Sequence, residues 1–325
     1  TRLLHNAKSY RVEKAEKQIV YTIPVVFHIV HEYGFENITD AQVYDQMEIL
    51  NEDYRLRNAD TTEIVPEFDT VKADIFIEFK LATKDPWGNC TNGIEHIYSH
   101  ETFQGDDNSK LNQWHRSKYL NVWVVSSMED GMAGYSFYPS SVDQSRFFAD
   151  GVIMLSDYVG SIGTSSYYTS RTLTHEVGHW LGLSHPWGSN NDPGIACGDD
   201  QIEDTPETKG WDHCELVNNQ ICNPGIVENV QNYMDYAYCS YMFTEDQAAM
   251  MRYNLTSTVA NRSNLIIDEN HEETGIDVLS PPLCEPVADF YASRRFICQG
   301  QDVQFSDVSW RASVTSRTWT FEGGT

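Results

Sequence analysis

The sequence predicts an α/β fold: a twisted mixed sheet with one backing helix and one helix bearing paired histidines, above a largely irregular, disulfide-tied lower half. Three observations predict it. Apolar, β-branched stretches such as residues 20–30 read as buried strands, and a helical pattern is interleaved with them. His175-Glu176-Val177-Gly178-His179 puts two imidazoles one turn apart on one helix face. Residues 186–231 carry much Gly, Pro, Asn and Asp with little periodicity, yet Cys197, Cys214 and Cys222 fall among them and Cys239 just beyond.

Residues 1–20 are polar, with Lys8, Arg11, Lys14 and Lys17, and read as an N-terminal extension or the remnant of a pro-segment. Residues 20–30 form the first strand, with His28 as a core histidine. Thr39 or Asp40 caps a helix reaching about Arg55, whose Val43, Met47, Ile49 and Leu50 recur at helical spacing. Residues 75–81, 120–125 and 150–155 supply three further strands, and Asp85-Pro86-Trp87-Gly88-Asn89 is turn chemistry. The histidine-bearing helix is expected on the opposite face of the sheet from the first helix. Thr244 caps a later helix containing Met250, Met251, Tyr253 and Leu255. Composition shifts at Ser280-Pro281-Pro282. Residues 286–290, 300–307 and 318–321 then alternate like strands, and resemble the opening of a polycystic-kidney-disease-type β-sandwich. The division expected is extension 1–20, main domain 21–268, linker 269–285 and a truncated sandwich module 286–325.

Lys and Arg number 22 against 48 Asp and Glu, a net charge of −26. That field repels phosphate backbones and anionic lipid, so nucleic acid is excluded as a partner, and no apolar run is long enough for membrane insertion. The acidic excess suits calcium, which takes oxygen ligands. Seven cysteines without a CxxC knuckle read as disulfides, hence an oxidising, extracellular setting for a secreted chain.

The chemistry sits at residues 175–185. His175 and His179 can reach one Zn²⁺; Gly182 tolerates the positive φ with which the helix can end, and His185 then arrives as third ligand. An open fourth position marks a catalytic rather than a structural zinc site, with Glu176 beside it to handle the protons of the activated water. The rival reading is a non-catalytic extracellular adhesion module stabilised by zinc and calcium. A degenerate site of that kind has no need of Glu176, and Glu176 is present.

The pattern His175…His179…Gly182…His185, with Asn232-Tyr233-Met234-Asp235-Tyr236 as a Met-turn, is that of metzincin zincins. Adding the acidic segment 197–207 and its cysteines, residues 20–268 resemble the pappalysin family of zinc metalloendopeptidases. The resemblance implies one catalytic Zn²⁺ on His175, His179 and His185, Glu176 as general base, Met234 as the floor of the site and Tyr236 as donor to the oxyanion. It implies structural Ca²⁺ at Asp200, Thr205 and Glu207, and protein or peptide substrates. Four cysteines allow three pairings; the resemblance favours Cys197–Cys222 with Cys214–Cys239. Cys284–Cys298 is expected as a separate bridge, leaving Cys90 free, in a monomer. Substrate is expected along an edge strand at residues 150–155. The pocket past the cleaved bond is expected to be walled by residues 247–251, which hold no acid and so favour bulky apolar side chains unless Asp235 or a later acid such as Asp268 folds into the pocket.

Overall fold

Strand β1 (Tyr21–His31) is the axis of the sheet. The computed structural model describes residues 19–280 and 282–322, so the expectations for residues 1–18 and Pro281 lie outside the described residues. The first half of β1 pairs in parallel with β2 (Ile77–Leu81) and its second half with β3 (Ile94–Tyr98), along one edge. Its other edge pairs with β4 (Leu120–Val125), then comes β6 (Val152–Leu155), both parallel; the three-residue β5 (Gly134–Ser136) closes the sheet antiparallel. The sequence does not announce β3 and β5. One is half polar and the other is short and begins with glycine, so neither carries a run of period-two apolar residues. The expected edge at residues 150–155 is corrected accordingly: β6 is interior, and β5 is the edge.

Helix α1 (Asp40–Tyr54) starts where Thr39 accepts a hydrogen bond from the Gln42 N–H, and it buries Val43, Met47, Leu50 and Tyr54. After the one-turn α2 (Pro139–Val142), helix α3 (Thr172–Trp180) carries the paired histidines. Leu173, Val177 and Trp180 of α3 join the α1 residues in one core over Ile23, Val25, Phe27 and Ile29, alternate residues on one face of β1. Both helices therefore cover the same face, which corrects the expectation of opposite faces. They are also hydrogen-bonded: the Thr174 hydroxyl donates to Asp53 at 2.7 Å. The other face of β1, with Val26 and Val30, is covered by loops through Trp114, Tyr119 and Leu111. Period two says only that β1 is buried on both faces, and not which element covers each. His28 is a fully buried core histidine, bonded to Glu95 and Asn121 at 2.9 Å each.

Below the cleft, helix α4 (Glu245–Leu255) opens with a capping box between Thr244 and Gln247, and α5 (Asp268–Thr274) ends on Gly275 in the left-handed region. Disulfides Cys197–Cys222 and Cys214–Cys239 tie the irregular segment. The third bridge is Cys90–Cys284, not Cys284–Cys298; Cys298 is free and exposed. The cause is the end of α5. The Thr83 and Lys84 N–H groups both donate to the Thr274 carbonyl, so the chain leaving this helix passes the turn that holds Cys90. Proximity in space overrides the shorter separation in sequence. Beyond it, β7 (Phe290–Ala292) and β8 (Phe305–Asp307) pair antiparallel. Residues 318–321 form no strand, although Trp319 packs against Phe290 and Phe305 at 5.8 and 6.0 Å between ring centres.

Candidate active site

Helix α3 stops at Leu181, and Gly182 takes φ 99° to turn the chain out of it. The turn brings His185 against the two helical histidines, and the ligand atoms of His175, His179 and His185 all lie within 4.8 Å of one another. Each imidazole is aimed by a main-chain carbonyl at its Nδ1: Tyr233 at 2.8 Å, Leu183 at 2.7 Å and Asn190 at 2.9 Å. With Nδ1–H donating, each Nε2 carries a lone pair. Two of these, on His179 and His185, converge to 3.1 Å. Lone pairs facing at that distance need a cation between them, and three neutral imidazoles are a catalytic zinc donor set. Burial keeps them neutral, lowering His179 to about 4, His185 to about 3 and His175 well below its ordinary value.

Met234 is wholly buried against the histidine-bearing helix. Gly178, inside the histidine pentamer, lies so close above it that an added Cβ would overlap the Met234 sulfur. Trp187 stacks parallel on His185 at 4.5 Å, and Tyr236 meets both rings edge-on at 4.9 and 5.2 Å. Tyr236 is 40% exposed at the cleft, where burial and then the charge of Glu176 raise its hydroxyl above the ordinary value. Glu176 is buried beside the histidines, and burial pushes its carboxyl up to about 8 against the opposing Ser136 hydrogen bond. Behind the site, Asp53 is fully buried and accepts from Thr174 and Tyr233, at 2.7 and 2.8 Å, and pairs with Arg171 at 2.9 Å. Burial raises the Asp53 carboxyl to about 7 despite the pull of Arg171.

The histidines, Glu176, Tyr236 and Met234 thus come together as their motifs suggest. Ser136, Trp187, Asp53 and Arg171 support them without a sequence signal, since each acts through a tertiary contact. Asp200 and Thr205 also meet: the Asp200 Oδ1 accepts from the Thr205 hydroxyl at 2.5 Å, and its Oδ2 is buried without a hydrogen-bond partner. Glu207 instead accepts from the Asn223 amide at 2.9 Å. The cleft of about 630 Å³ is lined by Ser136, Tyr158, Tyr168, Arg171, Asp235 and Tyr238 among others. Met250 and Met251 do not line it; they are buried in the core, which removes the expected pocket wall.

Comparison with known proteins agrees with this geometry. Residues 104–256 match the family model for M43 peptidases, described as pregnancy-associated plasma protein-A. An extracellular metalloprotease of Arthroderma benhamiae is 27% identical over 252 residues, which cover 75% of this chain and 80% of that protein. One from Arthroderma otae is 29% identical over 237 residues, covering 70% and 75%. Mature mirolysin of Tannerella forsythia, solved with a cleaved peptide, superposes with a TM-score of 0.71 at 35% identity, covering 78% of this chain and 98% of that one. With that identity over nearly the whole of a solved relative, and the zinc triad in place, this chain belongs to the M43 peptidase family, the pappalysins, and is a metalloendopeptidase.

Proposed function

We propose that the chain is a secreted zinc endopeptidase in which Glu176 is the general base and Tyr236 the oxyanion donor. The observation that carries this is the convergence of three imidazoles, each with Nδ1 fixed on a carbonyl, beside a buried carboxylate at the wall of an open cleft. Zinc, when bound by His175, His179 and His185, supplies Lewis acidity to the water and to the scissile carbonyl. Glu176, whose raised carboxyl the positive charge of a bound zinc would bring back down, takes the proton of the attacking water and returns it to the leaving amine, a contribution of roughly 10²–10⁴ in rate. Tyr236 moves its exposed hydroxyl toward the oxygen that gains charge. The substrate main chain pairs with the free edge of β5. The curated relatives named extracellular and the disulfides support secretion.

Bulky apolar residues are proposed immediately after the cleaved bond. Tyr158, Tyr168 and Tyr238 line the cleft, and Arg171 is paired with Asp53 and Asp60. Asp235 lines it too: one of its carboxylate oxygens accepts from the Trp211 and Tyr236 N–H groups and the other is buried without a hydrogen-bond partner, so a basic profile would assign the pocket to Asp235. A survey of new N-termini in a denatured proteome tests both points. Wild type is expected to yield Leu, Ile, Met or Phe beside the cut, and Glu176→Ala nothing above background while keeping one zinc. Activity above a few per cent in the variant overturns the base assignment; a profile dominated by Arg or Lys overturns the specificity. Calcium is proposed at Asp200 with Thr205, where the unpartnered Oδ2 suits a cation; Glu207 would have to leave Asn223 to join. Readdition of calcium to chelated, zinc-loaded protein should raise its melting temperature, and an unchanged melt counts against the site. Residues 286–325 are proposed as the start of a sandwich module, supported by the β7–β8 pairing; expressed alone, that segment should lack a cooperative melt.

A further inference from the structure

Strand β5 presents two different faces. Toward the cleft, the Ser136 hydroxyl donates to Glu176, with its hydrogen shared between the main-chain carbonyl at 2.7 Å and Oε2 of the carboxylate at 3.2 Å. The Ser136 main-chain N–H faces the same carboxylate, so this one residue meets Glu176 with both its hydroxyl and its backbone. On the other side, Tyr135 and Phe137 close over the buried ammonium of Lys110, whose Nζ lies 4.6 and 5.0 Å from their ring centres. Lys110 also donates to the Ala149 carbonyl at 2.7 Å and pairs with Asp107 at 3.2 Å. Asp107 in turn accepts from the Tyr135 hydroxyl and from Arg146, each at 2.8 Å. Arg146 completes the arrangement over the outer face of Phe137, at 4.2 Å.

A three-residue edge strand with one sheet neighbour has little to hold it, and short edge strands are the parts of a sheet that open first. Here the side chains on either side of Ser136 are pinned by two cations, Lys110 and Arg146, and by the Asp107 carboxylate, which fixes the plane in which the hydroxyl points. A buried glutamate with several rotatable bonds gains its orientation from the donor it meets. We propose that Ser136 is a positioning residue for Glu176, and that the Lys110–Asp107 pair, clasping Tyr135 and Phe137 from behind, is what holds Ser136 there. The strand that receives the substrate main chain is then the strand that aims the base, so docking and proton transfer share one element. This rests on the reading of Glu176 as base.

The test uses the full, zinc-loaded chain and a fluorogenic peptide, with zinc content and melting temperature checked for every variant. Ser136→Ala should lower kcat about tenfold with KM within about twofold, as expected when a reacting group is mis-aimed and binding is kept. Ser136→Thr, which keeps the hydroxyl, should restore most of kcat. Lys110→Met should lower kcat in the same direction by a smaller factor. In a Glu176→Asp background, whose shorter side chain draws away from Ser136, Ser136→Ala should have no further effect. Wild-type kcat in Ser136→Ala overturns the proposal, as does a loss of the same size in the Glu176→Asp background, or a loss confined to KM. Full activity in Glu176→Ala is a separate outcome that removes the base reading itself.

Discussion

The two halves that enclose the cleft are built on different physics. Above it, β1 and helices α1 and α3 bury a continuous apolar core, and each element follows from its own periodicity. Below it, residues 186–243 have almost no regular structure; Ile202, Tyr233, Met234 and Phe243 reach into the main core, and the rest gather only a small cluster around Val230, Tyr241 and Met242. That half is held by two disulfides and by buried carboxylates that collect donors. Glu228 is the best example: it accepts from Thr208, Trp211, Ile221 and Cys222 at 2.7 to 3.0 Å. The zinc ligands straddle the boundary, with His175 and His179 on α3 and His185 at the start of the irregular half. The metal centre therefore needs both kinds of stability at once. The upper half sets the spacing of two ligands; the lower half delivers the third, and the Tyr233 carbonyl that aims the first.

The largest expected effect is on the disulfides. Each closes a sequence separation of 25 residues, for which loop-closure reasoning gives about 3–4 kcal/mol. Mild reduction should therefore abolish activity and increase protease nicking within residues 186–243, while the far-ultraviolet spectrum of the upper half persists. Simultaneous loss of both signals would mean the halves fold as one unit and would erase the distinction.

A smaller break lies at the seam. Gly210 has φ 73°, and an added Cβ would overlap the Trp187 ring that stacks on His185. Gly210→Ala should weaken zinc retention about tenfold and lower activity with it, although the residue touches no ligand. Its effect on thermal stability should be about 1–3 kcal/mol, from backbone strain and displacement of the ring. Zinc affinity equal to wild type would show that Trp187 does not orient His185.

The smallest effect is one of pH. Burial alone would raise the Glu228 carboxyl, but its donors, the Thr208 hydroxyl foremost, hold it below the ordinary value. A folded value below the unfolded one means the native state binds fewer protons. The contribution is thus complete above the unfolded pKa of about 4.3 and is lost as pH falls through the lowered folded value. Glu228→Gln should cost about 2 kcal/mol at pH 7, and the gap to wild type should close as pH is lowered toward 3. Melting curves across that range check the sign; a gap that widens in acid would reverse it.

The sequence by itself determined the local facts: which stretches are strands or helices, where Thr39 and Thr244 begin them, and which residue types gather at residues 175–185. Those features depend on neighbours a few residues apart, so periodicity and capping carry them. It also made the family legible, because the spacing of His175, His179, Gly182 and His185 is itself the geometry of the site. The tertiary structure decided the rest. Which face of β1 receives α3, that β5 and not β6 is the free edge, and that Cys90 meets Cys284 are all contacts between segments far apart in sequence. Ser136, Trp187 and the Lys110–Asp107 pair carry no signal in the sequence for the same reason. An isolated serine or lysine has no pattern to betray it, and its role exists only once the chain has folded around it.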